Sequence, residues 1–128
     1  MSIEEAELMR RRAEKFLKNA LRLVDEEDYD LAVFSAEQYC QLALKYKLLV
    51  KKGVYLRTRS LRRLLRELSE VDGRVLVLVE DIRHLHYIAR LEEAYIASRY
   101  LPVEYEEAEA RDLLRFVVEV FKPLVEQV

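Results

Sequence analysis

One uninterrupted apolar stretch, residues 29–50, constrains the fold of this chain more than any other feature. Fifteen of its 22 residues are apolar, and neither glycine nor proline interrupts it. On a helix, Glu37, Gln41 and Lys45 recur every four residues and therefore form one narrow polar stripe. A helix that is apolar over most of its remaining surface needs neighbours on several sides. The stretch therefore predicts the central helix of a bundle, and its seven polar or charged residues argue against a membrane span.

The scarcity of turn-forming residues indicates few, long elements joined by short connections. The 128 residues include only two glycines, two prolines and one asparagine. A chain of this length can bury the core of one domain without disulfides. We therefore predict that residues 1–128 form a single all-α domain, an antiparallel up-and-down bundle of four to five helices.

Capping residues and apolar spacing place these helices along the chain. Ser2 and Glu5 fit a capping box at the start of a first helix of about 24 residues. The central helix should be capped by Asp28 or Asp30 and should end near Gly53. Three further helices are expected to begin at Thr58 or Ser60, at about Arg74, and at about Glu104, the last reaching Phe121 or beyond.

The fourth of these helices is expected to be continuous from about Arg74 to Ser98, after a turn at Asp72 and Gly73. Pro102 would end it, because the residue before proline disfavours the helical conformation. The apolar spacing predicts one buried seam along this helix, made of Val75, Leu78, Val79, Ile82, Leu85, His86, Ala89, Ala94 and Tyr95.

Positive charge is concentrated in one segment, although the formal net charge of −2 gives no reason to expect a polyanion binder. Residues 38–66 contain nine lysines and arginines and no acidic residue. Such a segment can attract the phosphates of a nucleotide or an RNA. The alternative is a solvated face that pairs with the acidic stretches 25–30 and 104–112.

No pattern of catalytic or metal-binding residues stands out. His84 and His86 are two residues apart, so on a helix they point about 200° away from each other and cannot chelate one ion. His86 is expected to be an interior or interface residue. Cys40, the only cysteine, is expected to be a buried, reduced thiol. We therefore predict no metal, no cofactor and no catalytic set, and the highly charged first residues favour a cytoplasmic protein without a signal peptide.

Three segments in order carry a resemblance to a known family. Residues 28–50 show a helix rich in tyrosine and alanine, with Glu37-Gln38 ahead of a lysine-containing end. Residues 58–65 resemble the motif Thr-His-x-Leu-x-x-Leu-Leu, with Arg59 in place of the histidine. Residues 94–102 resemble the motif Tyr-Ile-x-x-Arg-Tyr-Pro. Together they resemble the HEPN family, the small helical domains named for higher eukaryotes and prokaryotes nucleotide-binding.

The resemblance implies a helical bundle that forms a homodimer, often with a small nucleotidyltransferase as partner in a pair of the toxin–antitoxin kind. Many members of the family are metal-independent ribonucleases that use Arg-x4-6-His at the dimer cleft. Arg99 matches that arginine, but Glu104, Tyr105 and Glu106 occupy the positions where the histidine would stand. Without an imidazole, no obvious group is present to move a proton near neutral pH.

The sequence therefore favours a non-catalytic HEPN-type module that binds the phosphate of a nucleotide or RNA, with no membrane partner. The expected ligand-binding residues are Arg99, Tyr100, Tyr95, Arg59 and Lys45. Two alternatives stay open: a ribonuclease with a degenerate site, and a bundle that serves only for dimerisation.

Overall fold

Helices make up most of the chain, whose computed structural model describes residues 2–100 and 104–128. No strand occurs among these residues, and the predicted all-α helical bundle is confirmed. The α-helices are α1 (Ile3–Asp25), α2 (Tyr29–Lys52), α3 (Leu61–Ser69), α4 (Val77–Glu80), α5 (Ile82–Tyr100), α6 (Glu107–Phe116) and α7 (Lys122–Glu126). A 3-10 turn, Gly73–Leu76, leads into α4, and a π-helical turn, Val117–Phe121, joins α6 to α7.

The apolar stretch forms the central helix, as its composition predicts. Helix α2 packs against α1 along its length and also contacts α3, α5 and α6. Eleven of its residues are buried, among them Ala32, Ala36 and Leu44 with no exposed surface. The helix ends at Gly53, whose φ of 82° is the left-handed conformation that glycine adopts without strain.

The predicted capping residues stand at three helix starts, but only two of them make a side-chain hydrogen bond to their helix. Ser2 Oγ accepts a hydrogen bond from the Glu5 amide at 3.1 Å, and Ser60 Oγ caps α3 in the same way. Asp28 stands at the N-cap of α2 without a side-chain hydrogen bond to the helix. The Asp30 carboxylate instead accepts a hydrogen bond from the Tyr105 amide at 2.8 Å, which ties the start of α2 to the segment before α6.

The expectation of one continuous fourth helix was wrong, because the chain breaks at Asp81. This residue is extended (φ −80°, ψ 118°), and its carboxylate accepts a hydrogen bond from the Arg83 amide, as an aspartate at a helix start does. The break changes which residues face the core. Ile82 and His86 of the predicted seam are exposed. Helix α5 buries Ala94 of that seam, and with it Ile88, Leu91 and Ala97, which the seam did not include.

The last predicted helix begins later and is less regular than its apolar spacing suggests. Helix α6 starts at Glu107, where the Glu109 carboxylate accepts a hydrogen bond from the Glu106 amide in a capping box. The π-helical turn that follows buries Phe121, whose ring meets the Tyr39 ring edge-on at 6.1 Å between centroids. Tyr39, one of the aromatic residues of the central helix, therefore belongs to the core of the bundle.

Candidate anion-binding site

Two arginines converge on one tyrosine ring where α5 passes the segment before α3. The guanidinium carbon of Arg59 lies 3.6 Å from the centroid of the Tyr95 ring, and that of Arg99 lies 4.7 Å from it. Arg99 Nη1 also donates a hydrogen bond to the Tyr95 hydroxyl at 3.3 Å. The Phe34 ring of α2 stacks on Tyr95 at 6.3 Å between centroids and 19° between planes. We call Phe34, Arg59, Tyr95 and Arg99 the arginine–tyrosine cluster.

Local structure explains how the cluster is assembled. Tyr95 and Arg99 are one turn apart on α5, so their side chains lie on the same face of the helix. Arg59 comes from the connection between α2 and α3, where its carbonyl accepts a hydrogen bond from the Gln41 side-chain amide. The next residue, Ser60, caps α3 and fixes the direction in which the chain leaves the cluster.

A buried carboxylate, Glu37, lies beneath Arg59. Its side chain has no exposed surface, and Oε1 lies 3.7 Å from Arg59 Nη2. Gln38 and Gln41 donate hydrogen bonds to its two oxygens at 2.8 Å and 3.0 Å. Burial raises the pKa of the Glu37 carboxyl above its ordinary value, although these two hydrogen bonds and the charges of Arg59 and Lys45 oppose the rise.

Lys45 is a third cation near the site, after Arg59 and Arg99. It lies on the polar stripe of α2 that also carries Glu37. It is half-buried, and its ammonium group lies 5.5 Å from the centroid of the Tyr55 ring. Burial and, after it, the charge of Arg59 lower the pKa of the Lys45 ammonium group, while Glu37 acts in the opposite direction. Lys45 therefore shares the electrostatic environment of Arg59 and Glu37.

The structure thus brings four of the five predicted site residues into one region. Arg59 and Arg99 each contact the Tyr95 ring, and the charge of Arg59 acts on the Lys45 ammonium group. The fifth, Tyr100, is 71% exposed at the end of α5. Sequence reasoning missed Glu37 and Phe34 as members of the site. The signal for Glu37 was present, because an acid on a stripe of an otherwise buried helix needs polar partners inside the fold.

An open groove of about 500 Å³ runs along α5 beside the cluster. Arg59, Tyr95 and Ile96 line it, together with Arg62 and Arg90. Its two carboxylates are already paired within the chain, Glu92 with Arg62 and Glu93 with Arg90, each at 2.8 Å. The groove is therefore not an acidic surface, and its volume lies in the range of ordinary ligand sites.

The basic segment makes different contacts from those that the solvated-face interpretation predicts. Three of its cations form ion pairs, and their partners are Glu37, Glu70 and Glu92 rather than the acidic stretches 25–30 and 104–112. Lys47 donates hydrogen bonds to two backbone carbonyls near the end of the chain. In the described chain, no cation of residues 38–66 pairs with either acidic stretch.

The histidines and the cysteine are not members of the cluster. His84 Nδ1 is 3.1 Å from the Val77 carbonyl, and His86 is exposed, so His86 is not an interior residue, and its place at an interface stays a prediction. Cys40 is fully buried on α2, as predicted, and burial raises the pKa of its thiol well above the ordinary range. Across residues 2–100 and 104–128, no three histidine, cysteine or acidic side chains are grouped to hold a metal ion.

The fold and the cluster define a small all-α domain with two ring-bound arginines beside an open groove. The family model described as the HEPN domain matches residues 6–128, so the chain belongs to the HEPN family and the resemblance carried by the three segments is confirmed. Among curated proteins, none matches the chain. Membership of the family supports a nucleotide- or RNA-related module. None of the helices described here is long and apolar enough to cross a membrane.

Proposed function

We propose that the chain is a non-catalytic HEPN-type module that binds the phosphate of a nucleotide or RNA at the arginine–tyrosine cluster, with Lys45 and Tyr100 contributing. The observation that carries the proposal is the convergence of Arg59 and Arg99 on the Tyr95 ring. Two guanidinium groups are held against one ring there, so a phosphate bound at the cluster is attracted by two positive charges.

The arrangement leaves hydrogen-bond donors for a phosphate. A tight arginine–carboxylate pair has N–O distances of about 2.7–2.9 Å, whereas Glu37 lies 3.7 Å from Arg59. Glu37 therefore orients Arg59 without forming a tight pair with its guanidinium group. The planar guanidinium group matches the geometry of phosphate oxygens. The exposed Tyr100 ring, next to Arg99, offers a face on which a base can stack.

Binding without cleavage follows from the groups that the cluster lacks and from the burial of Glu37, the acid beneath Arg59. Arginine does not release a proton near neutral pH. Glu37 has no exposed surface, so it cannot reach a ribose hydroxyl in the groove. The cluster can therefore hold a phosphate, and the acids near it are either buried, as Glu37 is, or paired with arginines, as Glu92 and Glu93 are.

The proposal includes a homodimer and a small nucleotidyltransferase as partners. Ile96 and Tyr100 are one turn apart on α5, and they are 52% and 71% exposed beside the cluster. An apolar strip of this kind supports a second copy of the chain packing next to the groove. The nucleotidyltransferase and the toxin–antitoxin role rest on the family resemblance, and co-purification of the chain with a co-encoded nucleotidyltransferase tests them.

Fluorescence anisotropy with a labelled RNA oligonucleotide tests the binding proposal. We expect salt-sensitive binding by the wild type and a loss of about tenfold in affinity for Arg99→Ala, since a charge-assisted hydrogen bond contributes about 1.5–3 kcal/mol. Arg83→Ala is the matched control, because Arg83 is an exposed arginine on the same helix that pairs with Asp81. Equal affinity of wild type and folded Arg99→Ala would contradict the proposal. RNA cleavage by the wild type that is lost in Arg99→Ala would establish the ribonuclease alternative. A dimer that binds neither RNA nor nucleotide would leave only the bundle that serves for dimerisation.

A further inference from the structure

A second concentration of positive charge lies on the outer face of α1, away from the arginine–tyrosine cluster. Arg11, Arg12, Lys15 and Lys18 are all exposed. In the part of the chain that the structure describes, none of the four forms an ion pair. Two other arginines of α1 do form ion pairs: Arg10 pairs with Glu7 and Arg22 with Glu26, each at 2.9 Å.

Three of these cations, Arg12, Lys15 and Lys18, line a groove together with an aromatic ring. Phe16 is half-buried, packed against the core on one side and open to solvent on the other. An open groove of about 580 Å³ runs over it, and its lining contains no carboxylate: Arg12, Lys15, Phe16, Lys18, Asn19 and Arg22. A half-exposed phenylalanine among cations is the combination by which proteins hold unpaired bases and their phosphates.

The cations are arranged in a line along α1, which favours a nucleic-acid strand as the ligand over a single small anion. Residues 11–22 follow one another along about 16 Å of helix, at the rise of about 1.5 Å per residue. The opposite face of α1 is occupied, since Ala13, Leu17 and Ala20 are buried in the bundle. The apolar face of α1 is therefore covered by the bundle and is not available to insert into a lipid surface, as the apolar face of an interfacial helix is.

We propose that this face of α1 binds single-stranded nucleic acid, with phosphates on the four unpaired cations and a base stacked on Phe16. The surface is distinct from the arginine–tyrosine cluster. Helix α1 packs on α2 and α6, whereas the cluster is built from α2, the segment before α3, and α5. The two surfaces can therefore be tested separately.

The first test is the salt dependence of binding to a fluorescein-labelled oligouridylate of about ten nucleotides, within the length that one small domain covers. For the triple variant Arg11→Ser, Lys15→Ser and Lys18→Ser, we expect the slope of log affinity against log salt to fall by about 2, since each single-strand phosphate contact contributes about 0.7. Removing three exposed arginines on α5 and α6 gives a control with the same change in net charge: Arg83→Ser, Arg111→Ser and Arg115→Ser.

The second test separates stacking from charge. Phe16→Leu keeps an apolar side chain against the core and removes the ring, so we expect the affinity for the oligouridylate to fall about fivefold or more. Uridine 5′-monophosphate serves as the probe of the phosphate site proposed at the arginine–tyrosine cluster, and it should bind these α1 variants as it binds the wild type. Circular dichroism melting confirms that each variant is folded.

Three results would overturn the inference. An equal loss in the control triple variant would show that bulk charge alone drives binding. Unchanged oligouridylate binding in both the α1 triple variant and Phe16→Leu would show a solvated face with no partner. Binding of vesicles containing phosphatidylserine, with no binding of the oligouridylate, would assign the surface to lipid. Loss of monophosphate binding in Arg99→Ala bears only on the cluster, so the two proposals fail independently.

Discussion

The contact between Arg59 and Tyr95 gives a quantitative prediction about the stability of the candidate site. A cation over an aromatic face contributes about 0.5–1 kcal/mol when exposed and about 2 kcal/mol when desolvated. The Arg59 side chain is 47% exposed, and its guanidinium carbon lies 3.6 Å from the ring centroid. We therefore expect a coupling free energy of about 1 kcal/mol between the two side chains. Arg99 is exposed and lies farther from the ring, at 4.7 Å, so its ring contact should contribute about 0.5 kcal/mol to its coupling with Tyr95, in addition to its hydrogen bond to the Tyr95 hydroxyl.

Double-mutant cycles in urea unfolding measure both couplings. Arg59→Met and Arg99→Met keep most of the side-chain stem and remove the charge, and Tyr95→Leu removes the ring. Loss of the stacking between Tyr95 and Phe34 affects Tyr95→Leu in both cycles, so it cancels from each coupling. A coupling for Arg59 that is near zero would refute the contact between Arg59 and Tyr95 on which the candidate site depends.

Three further predictions concern the rest of the molecule. Burial raises the pKa of Glu37 above its ordinary value of 4.5, so the folded state holds more protons than the unfolded state between the two pKa values. The free energy of unfolding should therefore fall as pH rises through that window. Glu37→Gln should flatten this part of the plot of unfolding free energy against pH. An unchanged plot would contradict the raised pKa of Glu37. Cys40 should react with a thiol reagent in the native protein far more slowly than free cysteine, since it is fully buried with a raised pKa, and rapid labelling would refute this. Sedimentation equilibrium should show a dimer at micromolar concentration that Ile96→Glu dissociates, and a monomeric wild type would contradict the proposed dimer.

The sequence predicted the central helix well because a single physical signal determined it. Residues 29–50 could bury their apolar surface only inside a bundle, and Gly53 provided the left-handed residue that ends the helix. The break at Asp81 was not predictable from apolar spacing alone. The apolar residues on either side of it fit one continuous helix, and the hydrogen bond from the Arg83 amide that stabilises the break is a local contact.

Three of the four residues of the arginine–tyrosine cluster were predictable from the sequence, but Phe34 and the arrangement of the cluster were not. Arg59, Tyr95 and Arg99 were identified by resemblance to family motifs, but their meeting depends on how the segment before α3 crosses α5. Glu37 likewise shows that the sequence indicates a residue's position on a helix but not its surroundings in the fold. Its position on a polar stripe was evident, yet only the packing of α2 shows that it is fully buried beneath Arg59.

The most direct test of the proposed phosphate site follows the arginine side chains themselves. In a nuclear magnetic resonance titration of the wild type with adenosine 5′-monophosphate, the Nε–Hε signals of individual arginines report which guanidinium groups bind phosphate. We predict shifts for Arg59 and Arg99 that saturate together with one dissociation constant, while Arg83 stays unchanged as an internal reference. Shifts confined to other arginines, or none at Arg59 and Arg99 at saturating nucleotide, would contradict the proposed site.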